Sequence, residues 1–482
     1  MSNWITRLMM LAGVLALVSG CALWTPLTQP EVLAQALPPG TRVPPAWASA
    51  TDPAAVTDDW LASFHDSGLE TVVAEGIANN RDLVQAAARV EVARQTVVVV
   101  GSHLLPQVGA QIGLAGTLAD KYAAASQDAF YGSNVEYLGV FWELDLWGRL
   151  RAQRAASEAT FQATALEYAY LRQSLAATVA KSWYLTTELR QLLTLAQEAV
   201  QIYTQLVDLV QVRRAAGKVS NLDVAEARGN LAMAESTLNT VQGQYSEARR
   251  ALELLLGRYP AAELAVAPAF APVPPPVAAG LPSTLLTRRP DLVAAERQVL
   301  AAFRLEEAAQ LALLPSFTFA LDGGHLSDGV TSLLRVNPWL LHGTLGMSIP
   351  IYTGGRLTAQ IAIATAQQAQ AIARYGSAAL RAFFEVEVAL TNETLLAQRL
   401  QLEAQRLADN SEAVRIARLR YVAGSMDMLS VLQLQERQLE SQATVIQLRN
   451  ARLANRITLH LALGGSFDAA PATQMADTEQ AE

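Results

Sequence analysis

A chain of 482 residues that is 51% hydrophobic and 17% charged has ample apolar surface to offset the entropy of folding, which excludes wholesale disorder. Its formal net charge of −8 offers no polycation for a nucleic-acid backbone, so no nucleic acid is expected as partner. With a single cysteine no internal disulfide can form.

In chain order, residues 1–20 predict a secretory signal peptide. Arg7 precedes an apolar run from Leu8 to Val18, and small Ser19 and Gly20 lead to Cys21. The run is too short for a comfortable membrane span. Val18-Ser19-Gly20-Cys21 resembles a bacterial lipobox, which implies that Cys21 becomes the mature N-terminus and carries covalent lipid. An ordinary signal followed by an incidental cysteine is the alternative. Ala22 rather than Asp follows, which the resemblance makes compatible with sorting to the outer membrane. Residues 21–64 then form a leader, expected to be extended because Pro26, Pro30, Pro38, Pro39, Pro44, Pro45 and Pro53 remove donors and disfavour helix.

From residue 65 the chain reads as two copies of one pattern, 65–257 and 284–464, separated by a proline-rich linker at 258–283 and followed by a flexible tail at 465–482. Gly148-Arg149-Leu150 matches Gly355-Arg356-Leu357, Ala216-Gly217 matches Ala423-Gly424, and Leu256-Gly257 matches Leu463-Gly464, all at an offset of 207. Landmarks that hold one offset over so long a stretch indicate duplication. Each copy predicts a helix, two extended segments, a long rod, a glycine turn and a return helix. The rods, 149–216 and 356–423, contain no proline and between them one glycine, Gly376. As helices they would each reach on the order of 100 Å at ~1.5 Å per residue, beyond what a compact domain accommodates. The helices preceding and following each rod together approach its length and are expected to stack end to end beside it.

The extended segments, about 106–116 and 133–147 in the first copy and 315–323 and 341–352 in the second, alternate with period two. Leu138, Val140, Trp142, Leu144 and Leu146 interleave with Gly139, Glu143 and Asp145, and Leu345, Met347, Ile349 and Ile351 with Gly346, Ser348 and Pro350. A half-buried soluble sheet gives the same alternation. Strands of roughly ten residues with one apolar face are also what a transmembrane barrel uses, with Tyr131, Tyr137, Trp142, Trp147, Trp339 and Tyr352 available as interfacial aromatics. Four strands cannot close such a barrel, because open edges in lipid leave backbone groups unsatisfied. If these strands span a membrane, an oligomer is required, and three chains would supply twelve.

Beyond each tip an apolar residue recurs every seven positions: Val224, Leu231, Leu238, Tyr245 and Leu252, then Leu432, Leu439, Ile446 and Leu453. That spacing predicts left-handed coiled-coil packing. A helical tube and an ordinary soluble coiled coil share it.

Arg289-Pro290-Asp291-Leu292 with Ala295-Glu296, Ile349-Pro350-Ile351-Tyr352-Thr353-Gly354-Gly355-Arg356, and Trp142-Glu143-Leu144-Asp145-Leu146-Trp147-Gly148-Arg149 together give the mature chain a resemblance to the TolC-like and NodT-like outer membrane factors of Gram-negative bacteria. The resemblance implies a mainly α fold with a membrane β-barrel: a homotrimer with a 12-stranded β-barrel in outer-membrane lipid and a periplasmic α-helical barrel. It also implies a passive conduit for drugs or other small molecules, in series with a periplasmic adaptor protein and an inner-membrane pump. The tips at Gly217 and Gly424 would face the adaptor. Counting from Gly424, the periplasmic aperture falls on Leu429 and Gln433, with Glu436 where some relatives carry a base. The acid expected at position 433 is absent, and Asp427, nearer the tip, is the aperture candidate that would supply negative charge instead.

Nothing in the sequence assembles an active site. His65, His103, His325, His342 and His460 are scattered and form no metal-ligand pair, so no metal or cofactor other than the lipid on Cys21 is expected. His460 continues the seven-residue stripe of Leu453 and is assigned to packing. Glu143 and Asp145 share a strand face and are assigned to lumen-facing polarity rather than to paired catalysis. The competing reading is a lipid-anchored periplasmic coiled-coil scaffold without channel activity, which explains Cys21 and the rods but not the strands.

Overall fold

The structure, a computed structural model, describes residues 24–49, 54, 56–117, 131–327 and 340–467. The described chain divides into two compact units. One comprises the described parts of Met1–Pro39, Arg89–Ala165 and Ala294–Ser377, and the other those of Gly40–Ala88, Leu166–Val293 and Ala378–Glu482.

The first unit holds an antiparallel sheet in the order β1 (Gln107–Thr117), β2 (Tyr131–Leu144), β3 (Ser316–Ser327) and β4 (Leu340–Ser348). The register settles which residues share a face. Val108 pairs with Val140, which pairs with Leu321, and Ala110 stands opposite Leu138, which faces Gly323 and then Leu341. Trp142, Phe319 and Leu345 form another row, and Leu144, Phe317 and Met347 the next. Among the described side chains, the apolar alternation of the four strands therefore falls on one face. The opposite face carries Gln107, Glu143, Thr318, Asp322, His342 and Thr344, with Phe141 as its large apolar exception. A one-residue slip in any strand would scramble that sorting, so burial or lipid on one side fixes the register. The apolar face is uncovered, with Val108 at 67%, Leu341 at 76% and Leu345 at 72% exposure.

Two strand ends fall short of expectation. β2 stops at Leu144 rather than at 147, because Asp145 turns away to accept hydrogen bonds from Leu150 N and Arg151 N at 3.0 Å each. β4 stops at Ser348 rather than at 352, where Pro350 has no N–H to continue the ladder. β3 continues past 323 to Ser327, because β2 begins early enough to pair with it down to Asn134.

The leader also departs from the expected extended chain. Gln29–Ala36 forms helix α1. Pro30 lies in the first turn, where its missing N–H costs nothing, and Thr28 with Glu31 closes a capping box through bonds of 2.8 and 2.7 Å. Val32 then buries itself against Val299 and Tyr375. Tertiary packing outweighs proline content here.

Long helices follow the sequence closely. After a 3₁₀ turn at Ala62–Phe64, the chain forms α2 (Ser67–Asn79), α3 (Arg81–Ser102), α4 (Arg149–Ala215), α5 (Asn221–Leu255), α6 (Pro282–Arg288), α7 (Pro290–Leu311), α8 (Arg356–Val422) and α9 (Met428–Ala462). The rods α4 and α8 each have 67 residues. No helix among the described residues is long and apolar enough to cross a membrane.

In the second unit one core gathers Trp60, Phe64, Leu69, Val72, Leu83, Trp183, Tyr184, Leu252, Leu256, Leu453 and Ile457. A second, near the tips, gathers Tyr203, Val207, Val210, Val224, Met428, Val431 and Leu432. The heptad stripes thus enter the cores at both ends, through Val224 and Leu432 at one and Leu252 and Leu453 at the other. The linker lies along the helices: Leu264 and Val266 are buried in the first core, and the carbonyls of Pro274 and Pro275 accept from the Arg456 guanidinium.

Return helix and short helix meet end to end in both copies. Asn80 Oδ1 accepts from Asp82 N at 2.9 Å while its Nδ2 donates to Leu255 O at 3.1 Å. In the second copy Arg289 donates to Ala462 O at 3.3 Å. At these joints Gly257 and Gly464 adopt φ of 74° and 71°, and a Cβ on Gly257 would stand 2.9 Å from Asn79 O.

Candidate functional site

Both rods end in the same way. Gly217 at φ 70° donates to Arg214 O at 2.8 Å and Lys218 to Arg213 O at 2.9 Å; Gly424 at φ 79° donates to Tyr421 O at 3.0 Å and Ser425 to Arg420 O at 2.9 Å. This Schellman pattern satisfies the last carbonyls and needs a left-handed residue, hence glycine. The return helices restart immediately. Ser220 and Asp223 form a reciprocal capping box on α5, with Ser220 N donating to Asp223 at 2.7 Å. Asp427 caps α9, accepting from Ser430 N at 2.7 Å and Ser430 Oγ at 2.9 Å. Those two bonds hold its carboxyl below the usual aspartate range. Asp427 is therefore a cap whose two oxygens are engaged.

Across the tips, Arg213 donates to Tyr421 O at 2.7 Å and its guanidinium lies 4.4 Å from the centre of the Tyr421 ring. Sequence reading missed this clasp, since an arginine two residues before a helix end has many ordinary uses.

The aperture candidates Leu429, Gln433 and Glu436 are spaced four and three apart, which places them on one face of α9. All three are exposed, Leu429 at 48%, while Met428, Val431, Leu432 and Gln435 turn inward. Glu436 keeps a carboxylate near that stripe. Burial, followed by the Glu436 charge, pushes the Tyr203 phenol up to about 12.

Where strands become rods, Glu143 pairs with Arg149 at 2.6 Å and Asp145 with Arg151 at 3.2 Å. Both acids are engaged at this junction: the first neutralises the arginine that opens α4, and the second caps that helix. Trp142 and Trp147 brace the junction through their indole N–H groups, to Leu104 O at 2.9 Å and Pro315 O at 2.7 Å.

Two buried arginines hold the second unit together. Arg289, in the most specific motif of the sequence, is 2% exposed and pairs with Asp291 at 2.9 Å and Glu385 at 2.7 Å. Burial opposes its charge, but Asp291, Tyr170 and Glu385 outweigh that and raise its pKa. Arg456 joins Glu393 at 2.5 Å and the linker carbonyls. The motif is structural rather than chemical.

His460 stacks on Trp60 at 5.8 Å. Burial, assisted by the Arg456 charge, lowers its pKa to about 3, so it packs as a neutral ring. Among the described residues no group of three or more His, Cys, Asp or Glu is arranged to hold a metal. Cys21 lies outside the described residues.

The sequence matches the family model described as outer membrane efflux protein over residues 72–258 and 281–465, on either side of the linker. It is 30% identical over 443 residues to the pyoverdine export outer membrane protein OpmQ of Pseudomonas putida, covering 89% of this chain and 93% of that protein. It is 29% identical over 413 residues to the cation efflux system protein CusC of Escherichia coli, covering 85% and 88%. In fold it resembles the CmeC outer membrane channel of Campylobacter jejuni, with a TM-score of 0.84, 20% identity and coverage of 96% and 98%. The sequence relatives are named as outer membrane export and efflux-system proteins, and they do not favour the scaffold reading. A duplicated hairpin with rods of 67 residues, a sheet with one uncovered apolar face, and a family match over most of the length lead to one conclusion: the chain belongs to the outer membrane efflux protein family and is an outer-membrane channel component of an efflux system.

Proposed function

We propose that three copies of this chain close a 12-stranded barrel in the outer membrane and a helical barrel in the periplasm, forming a passive conduit for drugs or other small molecules. The observation that carries this is the sheet: its outer strands, β1 and β4, are each paired on one side only, and its apolar face is bare. In hydrocarbon such edges must pair, and copies of the same chain offer matching edges. Cys21 would add a lipid anchor at the N-terminus. The tips at Gly217 and Gly424 would meet a periplasmic adaptor linked to an inner-membrane pump, which supplies the energy. Leu429, Gln433 and Glu436 would line the periplasmic aperture.

Cargo choice belongs to the pump in this reading. Two relatives almost equally similar to this chain are named for pyoverdine and for cations, so a shared conduit fold accommodates unlike solutes. The test is to extract the full-length protein from outer membranes, determine its subunit number by crosslinking, and record single channels in planar bilayers. Trimers with discrete conductance are expected. A monomer that turns water-soluble when its lipid is removed, with no conductance, would overturn the reading.

A further inference from the structure

The first copy of the repeat is an internal reference for the second where strands enter rods. Gly148 and Gly355 share φ values of 87° and 83°. Ala152 N and Ala359 N donate back to the carbonyls of Gly148 and Gly355 at 2.8 and 2.9 Å, and Leu150 and Leu357 are both buried. In that register Arg149 corresponds to Arg356 and Gln153 to Gln360, whereas Glu143 corresponds to Pro350 and Asp145 to Tyr352. The second copy has kept the arginine and the glutamine and lost both acids.

The consequence is local and electrostatic. In the first copy Glu143 neutralises Arg149, and Asp145 satisfies two N–H groups of the first turn of α4. In the second, Leu357 N reaches only the Thr353 hydroxyl, at 3.5 Å, and Tyr352 is 89% exposed. Among the described residues Arg356 has no carboxylate partner; its guanidinium meets Gln360 Oε1 at 3.3 Å. Arg356 and Gln360 line a cavity of about 530 Å³ together with Gln153, Ser316 and Ser348. The other charged residues of that cavity are engaged, Glu143 with Arg149 and Asp145 with Arg151.

We propose that this cavity is a transit subsite for a carboxylate-bearing organic anion, held by Arg356 and Gln360 at the first turn of α8, in the place that Glu143 and Asp145 fill in the first copy. A guanidinium fork donates two parallel hydrogen bonds to a carboxylate, and the amino-terminal turn of a helix favours negative charge. The proposal rests on the conduit reading for its cargo. In this role Arg356 adds a local preference at the strand-to-rod junction to the cargo choice made by the pump.

The probe is citrate, titrated calorimetrically into the full-length protein in detergent, with reversal potentials measured across bilayers in a salt gradient. Wild type should bind citrate. Arg356→Gln should weaken binding at least tenfold and shift permeability toward cations. Tyr352→Asp, which returns a carboxylate in cis, should weaken it equally, while Tyr352→Phe should leave it unchanged. Equal citrate binding in all four proteins, or none in wild type, overturns the subsite. So does an Arg356→Gln protein that loses its oligomer but still binds citrate, which would assign the guanidinium to a neighbouring subunit. Normal conductance with citrate-insensitive variants refutes the subsite alone, whereas the expected citrate series without conductance refutes the conduit alone.

Discussion

Arg289 shows how one side chain sets the stability of a joint. It is nearly fully buried, so its removal leaves Asp291 and Glu385 facing each other's charge without compensation. Breaking a buried pair costs roughly 3–5 kcal/mol, and the lower end applies here because both acids keep access to water. Arg289→Ala should therefore destabilise the protein by about 3 kcal/mol, read as a lower denaturation midpoint in detergent; Arg289→Lys should recover only part, since Lys lacks the fork that reaches several partners at once. His460 gives a second prediction. Its folded pKa of about 3 lies below the ordinary value of 6.5, so between those values the unfolded chain binds the extra proton. Stability is fully present above pH 6.5 and is lost as pH falls toward 3, by up to roughly 1.4 kcal/mol per unit. Unfolding midpoints measured from pH 7 to 4 should fall more steeply for wild type than for His460→Phe; parallel curves would show that the buried imidazole does not govern acid sensitivity.

At the scale of elements, the glycines are not equivalent. Gly217 and Gly424 need the left-handed conformation but have open space around them, so Gly217→Ala should cost only the backbone penalty of about 1–2 kcal/mol. Gly257→Ala adds a clash with the Asn79 carbonyl and should cost distinctly more, in the same thermal melt. Gly376 is the one glycine in either rod. It is helical and carries an entropic cost of roughly 0.5–1 kcal/mol, yet any Cβ there would overlap the Ala36 carbonyl at the end of α1. Gly376→Ala should undock the leader helix while leaving α8 intact, seen as faster proteolysis between residues 24 and 49 with unchanged helical circular dichroism. Uniform protection of that segment in the variant would refute the steric argument. The period-two strands, rods and turns were legible because each obeys a local rule of spacing. Helix α1 was not, because what folds it is a capping box and contact with Val299 and Tyr375, and its prolines point the other way.

For the molecule as a whole, the proposed aperture is the place where a small change should have a large effect. Leu429 lies half exposed on the same face of α9 as Gln433 and Glu436, and Leu429→Ala should loosen the closed state and raise single-channel conductance in planar bilayers. An unchanged conductance would return Leu429 to ordinary interhelical packing. With Gln433 in place of an acid, cation preference at the aperture should be weak in the same recordings.

The sequence by itself determined the duplication, the rods, their turning points and the apolar side of each strand, because periodicity, glycine position and offset are one-dimensional signals of local geometry. Tertiary structure alone decided the rest. It put four separately alternating strands on one common face through the register, and it gave Glu143 an arginine partner and made Asp145 and Asp427 helix caps. It also revealed Arg356 as the arginine whose repeat-mate has an acid and which has none among the described residues. Such facts depend on which groups meet across long sequence separations, and burial and charge compensation become defined only when the chain has folded.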